Sequence, residues 1–366
     1  MTGSADNSVV RLAAVGDLLL ARGFPGSATK RRAAETFAGV RSVLAGCDVV
    51  FGNLECSLPA GPQRVPTEPR VISSPGQIRA VRDAGFHVVA LGNNHAFDCL
   101  EPGFDRMRRL LEETGVACFG AGGDLAEAAA PAVVEVSGIR LGFLGAVDRR
   151  CGPYRFAGPD RWGVAPLDGG GLDERIRLLR RQVHHVIVSV HWGEERLGMP
   201  SPAQVERARE LVRAGAGLVL GHHPHVIQGL ERYRGAAIAY SLGNFVSCEV
   251  PFSDGDKTVW SRAERTGCIL LADVTADGIG NFRQVPTCDT GRGVEIDRSG
   301  FGTRQIALAN RAVARPVTAS RYRREYFRVK TARPAVDHLR WSRLRKLRLR
   351  NVRNALAGIR RGLRAD

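Results

Sequence analysis

Runs of Val, Leu, Ile and Ala that break off at Asp, Asn, Glu or His recur five times: Val9 to Asp17, Asp48 to Glu55, Val88 to His95, Val186 to Glu195 and Leu218 to His225. A continuous apolar run with a polar boundary is the pattern of a strand buried on both faces in an α/β sheet. Between the runs the period changes. Glu101 to Thr114 places Phe104, Met107, Leu110 and Leu111 on one helical face. Helices are also predicted around residues 33–45, 75–84, 172–182 and 202–214, several of them closed by Gly. Residues 132–136 and 140–147 read as a hairpin around Ser137-Gly138, and 226–230, 236–241 and 268–274 as antiparallel strands. Early βαβ alternation followed by hairpins predicts two packed sheets with helices outside.

Composition changes this picture little. The 366 residues are 44% hydrophobic, enough for a substantial core. Eight cysteines occur without a CxxC or other close pair, which reads as reduced core residues rather than a disulfide framework. The N-terminal stretch lacks a basic leader, and no window reaches the roughly 18 apolar residues of a membrane span. The residues therefore read as a cytoplasmic chain.

Charge divides the chain. The net charge is +16, but residues 321–366 hold 16 Lys and Arg against three acids, while residues 1–320 hold 37 against 34. The high charge belongs to the end of the chain, so it does not argue for a specific nucleic-acid partner. We expect one catalytic-type domain over 1–320 and a basic C-terminal helical tail over 321–366. In the tail Val352, Leu356, Ile359 and Leu363 form an apolar stripe opposite Arg350, Arg353, Arg360 and Arg361. Such a helix suits an anionic membrane surface, here the inner face, or docking onto a partner helix or nucleic acid, or simple packing on the domain.

The chemistry sits at the strand tips, where α/β sheets collect functional groups. Taken singly each tip has an ordinary reading: Asp17 caps a turn, Glu55 is solvated, Asn93 and Asn94 form an Asx turn, His191 is structural. Together they supply carboxylates, amide oxygens and imidazoles, the donors of a Zn, Mn or Fe site, one or two ions. His222, His223 and His225 in GHHPH are the strongest single signal. His95, with Asp98 three residues on, is placed to give a proton to a leaving group. His87, His184 and His185 precede their strands and read as structural. No P-loop, GxSxG or HExxH pattern is present.

In order, GD, GNLE, GNNHAFD, VSVHWGEE, GHHPHV and YSLGNF (Tyr240 to Phe245) resemble the CapA capsule-synthesis, or poly-γ-glutamate biosynthesis, family over residues 9–275. That family is similar to calcineurin-like metallophosphoesterases. The resemblance implies a four-layer αββα sandwich with a metal site at one edge. It also implies Asp17, Asn94, His191, His223 and His225 as ligands, and His95 as proton donor. Asn93 and His222 are additional candidates. Two positions depart from the superfamily. Leu19 stands where its first motif has His, and Asn53, a candidate ligand, stands where a bridging Asp is usual, leaving Glu55 as the ligand that supplies the charge. The expected activity is a metal-dependent hydrolase or transferase on an anionic polymer, phosphoester or amide, with Arg22, Arg64 and Arg70 holding the anion. The alternative is a non-catalytic assembly protein with a degenerate site.

Overall fold

The structure is a computed structural model that describes residues 8–23 and 32–332. In chain order it runs β1 (Val10–Leu19), α1 (Arg41–Leu44), β2 (Val49–Asn53), α2 (Pro75–Asp83), β3 (Val88–Ala90), α3 (Leu100–Glu113), β4 (Ala117–Phe119), β5 (Ala121–Gly122), α4 (Leu125–Ala128), β6 (Ala132–Val136) and β7 (Ile139–Val147). It continues through β8 (Gly163–Val164), α5 (Leu172–Arg180), β9 (His185–His191), α6 (Pro202–Ala214), β10 (Ala216–His222), β11 (Leu230–Tyr233), β12 (Ala236–Ala239) and β13 (Asn244–Ser247). It closes with β14 (Thr266–Val274), β15 (Ile279–Asp289), β16 (Val294–Ile296), α7 (Phe301–Val313) and α8 (Ala319–Phe327).

Two sheets result. One has the order β16-β15-β14-β1-β2-β3-β4 with β13 also pairing β1; the other is β11-β12-β10-β9-β7-β6. Successive strand residues point to opposite faces, so a continuous apolar run feeds two cores at once. Leu12, Ala14, Phe51 and Val88 meet Leu141, Phe143, Ile187 and Leu220 between the sheets. Phe51 stacks on Phe143 there, with ring centroids 5.9 Å apart. The opposite face of the first sheet, with Ala13, Val15, Val50 and Val89, packs on Ile78 and Val81 of α2 and on Phe104, Met107 and Leu111 of α3. The outer face of the second, with Leu144, Val188, Val219 and Ile238, packs on Ile176 and Leu179 of α5 and on Ala208 and Leu211 of α6. The expected four-layer αββα sandwich is the observed one. Helices α2 and α6 both open on Ser-Pro with a capping box, Ser74 to Gln77 and Ser201 to Gln204.

Three local expectations need correction. Residues 33–45 do not form one helix: Val294 N–H donates to Thr36 O at 2.8 Å, and Gly39 bridges Glu295, so an edge strand interrupts the turns. β12 is antiparallel to β11 only; its other neighbour β10 runs parallel. Residues 226–229 are not strand, although Ile227 bridges Leu242. The eight cysteines form no disulfide.

Residue 321 falls within α8, where Tyr322 and Tyr326 pack with Leu197 and Met199. The stripe Val352, Leu356, Ile359 and Leu363 lies outside the described residues. No helix among the described residues is long and apolar enough to cross a membrane.

One close approach fixes the site's frame. β1 and β13 converge at Gly16 and Gly243, where a Cβ on Gly16 would stand 1.8 Å from Gly243 O. Backbone cannot yield as a side-chain tip can. Gly16→Ala is expected to destabilise by about 3 kcal/mol or more, read by urea unfolding. Gly46→Ala, whose Cβ would make ordinary 3.5 Å contact, is the control and should stay near wild type.

Candidate metal centre

The sheet register assembles the tips. Asp17 lies opposite Asn53 of β2 on one side and Asn244 of β13 on the other, while His222 of β10 lies opposite His191 of β9. Just past β10 the backbone turns through His223 (φ 92°) and His225 (φ 57°). Left-handed backbone at non-glycine residues costs about 1–3 kcal/mol each and persists only where the surroundings hold it. Here Asp17 Oδ2 accepts from His223 N–H at 3.2 Å and stands 3.1 Å from His225 Nδ1.

Single ligand atoms of Asp17, Glu55 and His191 lie within 4.8 Å of one another, as do those of Glu55, His223 and His225. Glu55 Oε1 stands 3.7 Å from His191 Nε2 and 3.9 Å from His225 Nε2. It is buried without a hydrogen-bond partner, as is His223 Nδ1. Asn94 Oδ1 is 2.9 Å from His191 Nε2. Asn53 points its amide nitrogen at Asp17 Oδ1 (2.9 Å) and Glu55 Oε2 (3.3 Å), and its oxygen accepts from Asn93 Nδ2 at 3.3 Å. In this orientation Asn53 braces the two carboxylates. Asn93 braces in turn, donating to Leu54 O and accepting from His95 N–H. His222 Nδ1 is 3.2 Å from Asp17 Oδ1 without the alignment of a hydrogen bond, and its ring rests near Phe51.

The electrostatics reflect two carboxylates in a buried space. Burial raises the Glu55 carboxyl, and the Asp17 charge adds to this, taking it to about 8. Burial opposes ionisation of Asp17 too, but His222 and His225 outweigh it and hold that carboxyl well below its usual range. Burial likewise disfavours the His225 cation, yet Glu55 and Asp17 win and lift it to about 10. Burial keeps His191 and His223 neutral, the latter at about 4. His95 Nδ1 pairs with Asp98 Oδ2 at 2.9 Å, and that oxygen also accepts from Val71 N–H at 2.6 Å. Burial would lower the His95 imidazole, but the Asp98 charge and hydrogen bond raise it.

A sequence profile of the family described as Bacterial capsule synthesis protein PGA_cap matches residues 11–249. The chain belongs to this CapA family. It is 28% identical over 284 residues to the PGA biosynthesis protein CapA of Bacillus subtilis (strain 168), covering 76% of this chain and 72% of that one. It is 29% identical over 279 residues to the Capsule biosynthesis protein CapA of Bacillus anthracis, covering 72% and 64%. Among solved structures, a novel phosphatase of Mycoplasma pneumoniae aligns with TM-score 0.50 at 13% identity, over 80% of this chain and 96% of the phosphatase. At that identity the likeness concerns the fold alone.

In this CapA-family chain Arg64 and Arg70 are committed locally. Arg70 Nη2 pairs with Glu68 Oε1 at 2.7 Å, and Arg64 Nη1 donates to Gly61 O and Gln63 O. Arg22 is exposed, its N–H donating to Ile72 O. Arg64 and Arg22 nonetheless exert their charge on Cys99, next to Asp98. His87, His184 and His185 serve strand edges, bonding to Val50 N–H, Arg140 N–H and Thr275 O.

Sequence reasoning missed four residues of the centre. Asn244 Oδ1 meets His225 Nδ1 at 2.9 Å; the polar stop in YSLGNF was its signal. Trp260 stands edge-on to His225 at 5.5 Å, and Glu195 exerts its charge on His223 and His225. Cys151, inside a Gly/Pro-rich loop, carried no signal.

Proposed function

We propose that the chain is a metal-dependent hydrolase or transferase acting on an anionic polymer, or on its phosphoester or amide linkages, in capsule or poly-γ-glutamate biosynthesis. The observation that carries this is Glu55 Oε1, a fully buried carboxylate oxygen with no hydrogen-bond partner, facing two imidazoles. Burying such a group unsatisfied costs several kcal/mol. A divalent cation is the partner its surroundings fit: two carboxylates and three imidazoles, oxygen and nitrogen donors suited to Mn, Fe or Zn. Asp17, Glu55, His191, His223 and His225 would hold it, with Asn94 at the rim.

A bound divalent ion supplies Lewis acidity toward a water and the target centre. The protein's own part is positional. Asn53 fixes the carboxylates. His95, whose imidazole Asp98 makes more basic, stands beside the cluster to deliver a proton to the leaving group. Arg22 and Arg64 bias the His95 side toward anions.

Purified full-length protein, loaded in turn with Mn, Fe and Zn, should turn over a member of a panel of phosphoesters and γ-glutamyl peptides. No turnover with metal bound would favour an assembly role instead. That second reading has its own support, because Leu19 is buried in the apolar core and Asn53 brings no charge.

Metal affinity should also rise with pH. Without metal, Glu55 holds its proton up to about 8 and His225 up to about 10, and both protons must leave for ligation. Mass action then gives about tenfold weaker binding per pH unit, per proton displaced, on going from pH 8 to 6. Calorimetric titration in buffers of different ionisation heat reads both the slope and the released protons. A flat profile would contradict the assignment of these two side chains.

A further inference from the structure

The turn after β7 brings Cys151 beneath the cluster. One ligand atom each from Cys151, His191 and His223 lies within 4.8 Å of the other two, and all three residues are buried. The placement follows from register: Val147 lies opposite His191, and Asp148 N–H donates to His191 O at 2.9 Å. The Cys151 thiol donates to the same carbonyl at 3.5 Å. That carbonyl therefore keeps a partner in Asp148 N–H when the thiol proton leaves.

A second observation points to a ligand. Neither ring nitrogen of His223 hydrogen-bonds to another described residue, and Nδ1 is fully buried. The backbone holds this side chain at φ 92°, a conformation that carries strain. A buried imidazole kept at such cost with both nitrogens unspent is a donor without its acceptor. The other two groups of ligand atoms share His191 and His223 with this one.

We infer that Cys151 is a thiolate ligand, giving the proposed metal centre a sulfur-bearing position, with His191 and His223, for a borderline cation such as zinc or ferrous iron. The inference rests on the metal-centre reading above. On binding, the S–H bond breaks, the proton leaves to solvent, and the freed sulfur lone pair bonds the cation. Thiolate sulfur favours zinc and iron over manganese or magnesium, so this one side chain would set metal preference within a centre otherwise made of oxygen and nitrogen.

The test uses metal-stripped full-length protein titrated with cobalt(II) and followed by absorption. The native chain should show visible d–d bands together with a near-ultraviolet sulfur-to-cobalt charge-transfer band, saturating in step. Cys151→Ser and Cys151→Ala should lose the charge-transfer band and keep the d–d bands, which also report an intact fold. Cys47→Ser should keep both. Zinc should bleach the native spectrum more readily than manganese does. If the native chain shows d–d bands without charge transfer, or the band survives in Cys151→Ser, the thiolate is overturned and the metal centre stands. If cobalt gives no bands at all, the metal-centre reading falls and this inference with it.

Discussion

Replacing Asp17 with Asn is expected to empty the centre of metal. Asp17 is fully buried at the join of the two sheets, taking hydrogen bonds from Asn53 Nδ2 and His223 N–H and facing His225 Nδ1. An amide keeps the shape but loses the charge and turns a donor toward groups that already donate. Loss of an outer partner of a ligand costs about 10–100-fold in metal affinity, and loss of a charged ligand should cost more. The metal-free protein should also weaken, since removing one member of a buried ion pair costs up to about 3–5 kcal/mol. Calorimetric metal titration reads the first effect and urea unfolding the second. Affinity within about twofold of wild type would remove Asp17 from the ligand set, because even an outer-shell loss exceeds that.

Replacing His95 with Asn should give the opposite signature: turnover falling by about 10²–10⁴ with metal content unchanged. His95 is held through Nδ1 by Asp98, itself anchored on Val71 N–H. That arrangement orients the imidazole without drawing it into any of the three groups of candidate ligand atoms. Asp98→Asn should lower turnover as well, and shift the alkaline limb of its pH profile to lower pH, because the Asp98 charge is what raises His95 and a proton donor loses activity as pH rises through its pKa. Metal loss in the His95 variant would make it a ligand and leave the reaction without this proton donor.

Much of this arrangement could be read from the sequence because parallel strands buried on both faces leave an unambiguous signal. Val88 to His95 and Leu218 to His225 are such runs, and their polar stops are where the two sheets meet. What could not be read depends on distant chain. Ala33 to Ala45 is good helix-forming sequence, yet the edge strand at Val294 pulls Thr36 and Gly39 into pairing. β15 was invisible because Asn281 and Pro286 interrupt its pattern. Asn53 was read by analogy with a ligand position, but the direction of an amide is set by its neighbours, here Asp17, Glu55 and Asn93. Cys151 reaches the centre through the pairing of β7 with β9, a tertiary fact with no local trace.

The most direct test of the central claim is elemental analysis of the full-length protein after incubation with Mn, Fe and Zn and removal of excess ion. About one or two divalent ions per chain are expected, the content of a mono- or dinuclear centre, falling toward zero when His191 and His223 are both replaced by Ala. A native chain that retains no ion under any of the three conditions, or a double variant that retains as much as wild type, would contradict it.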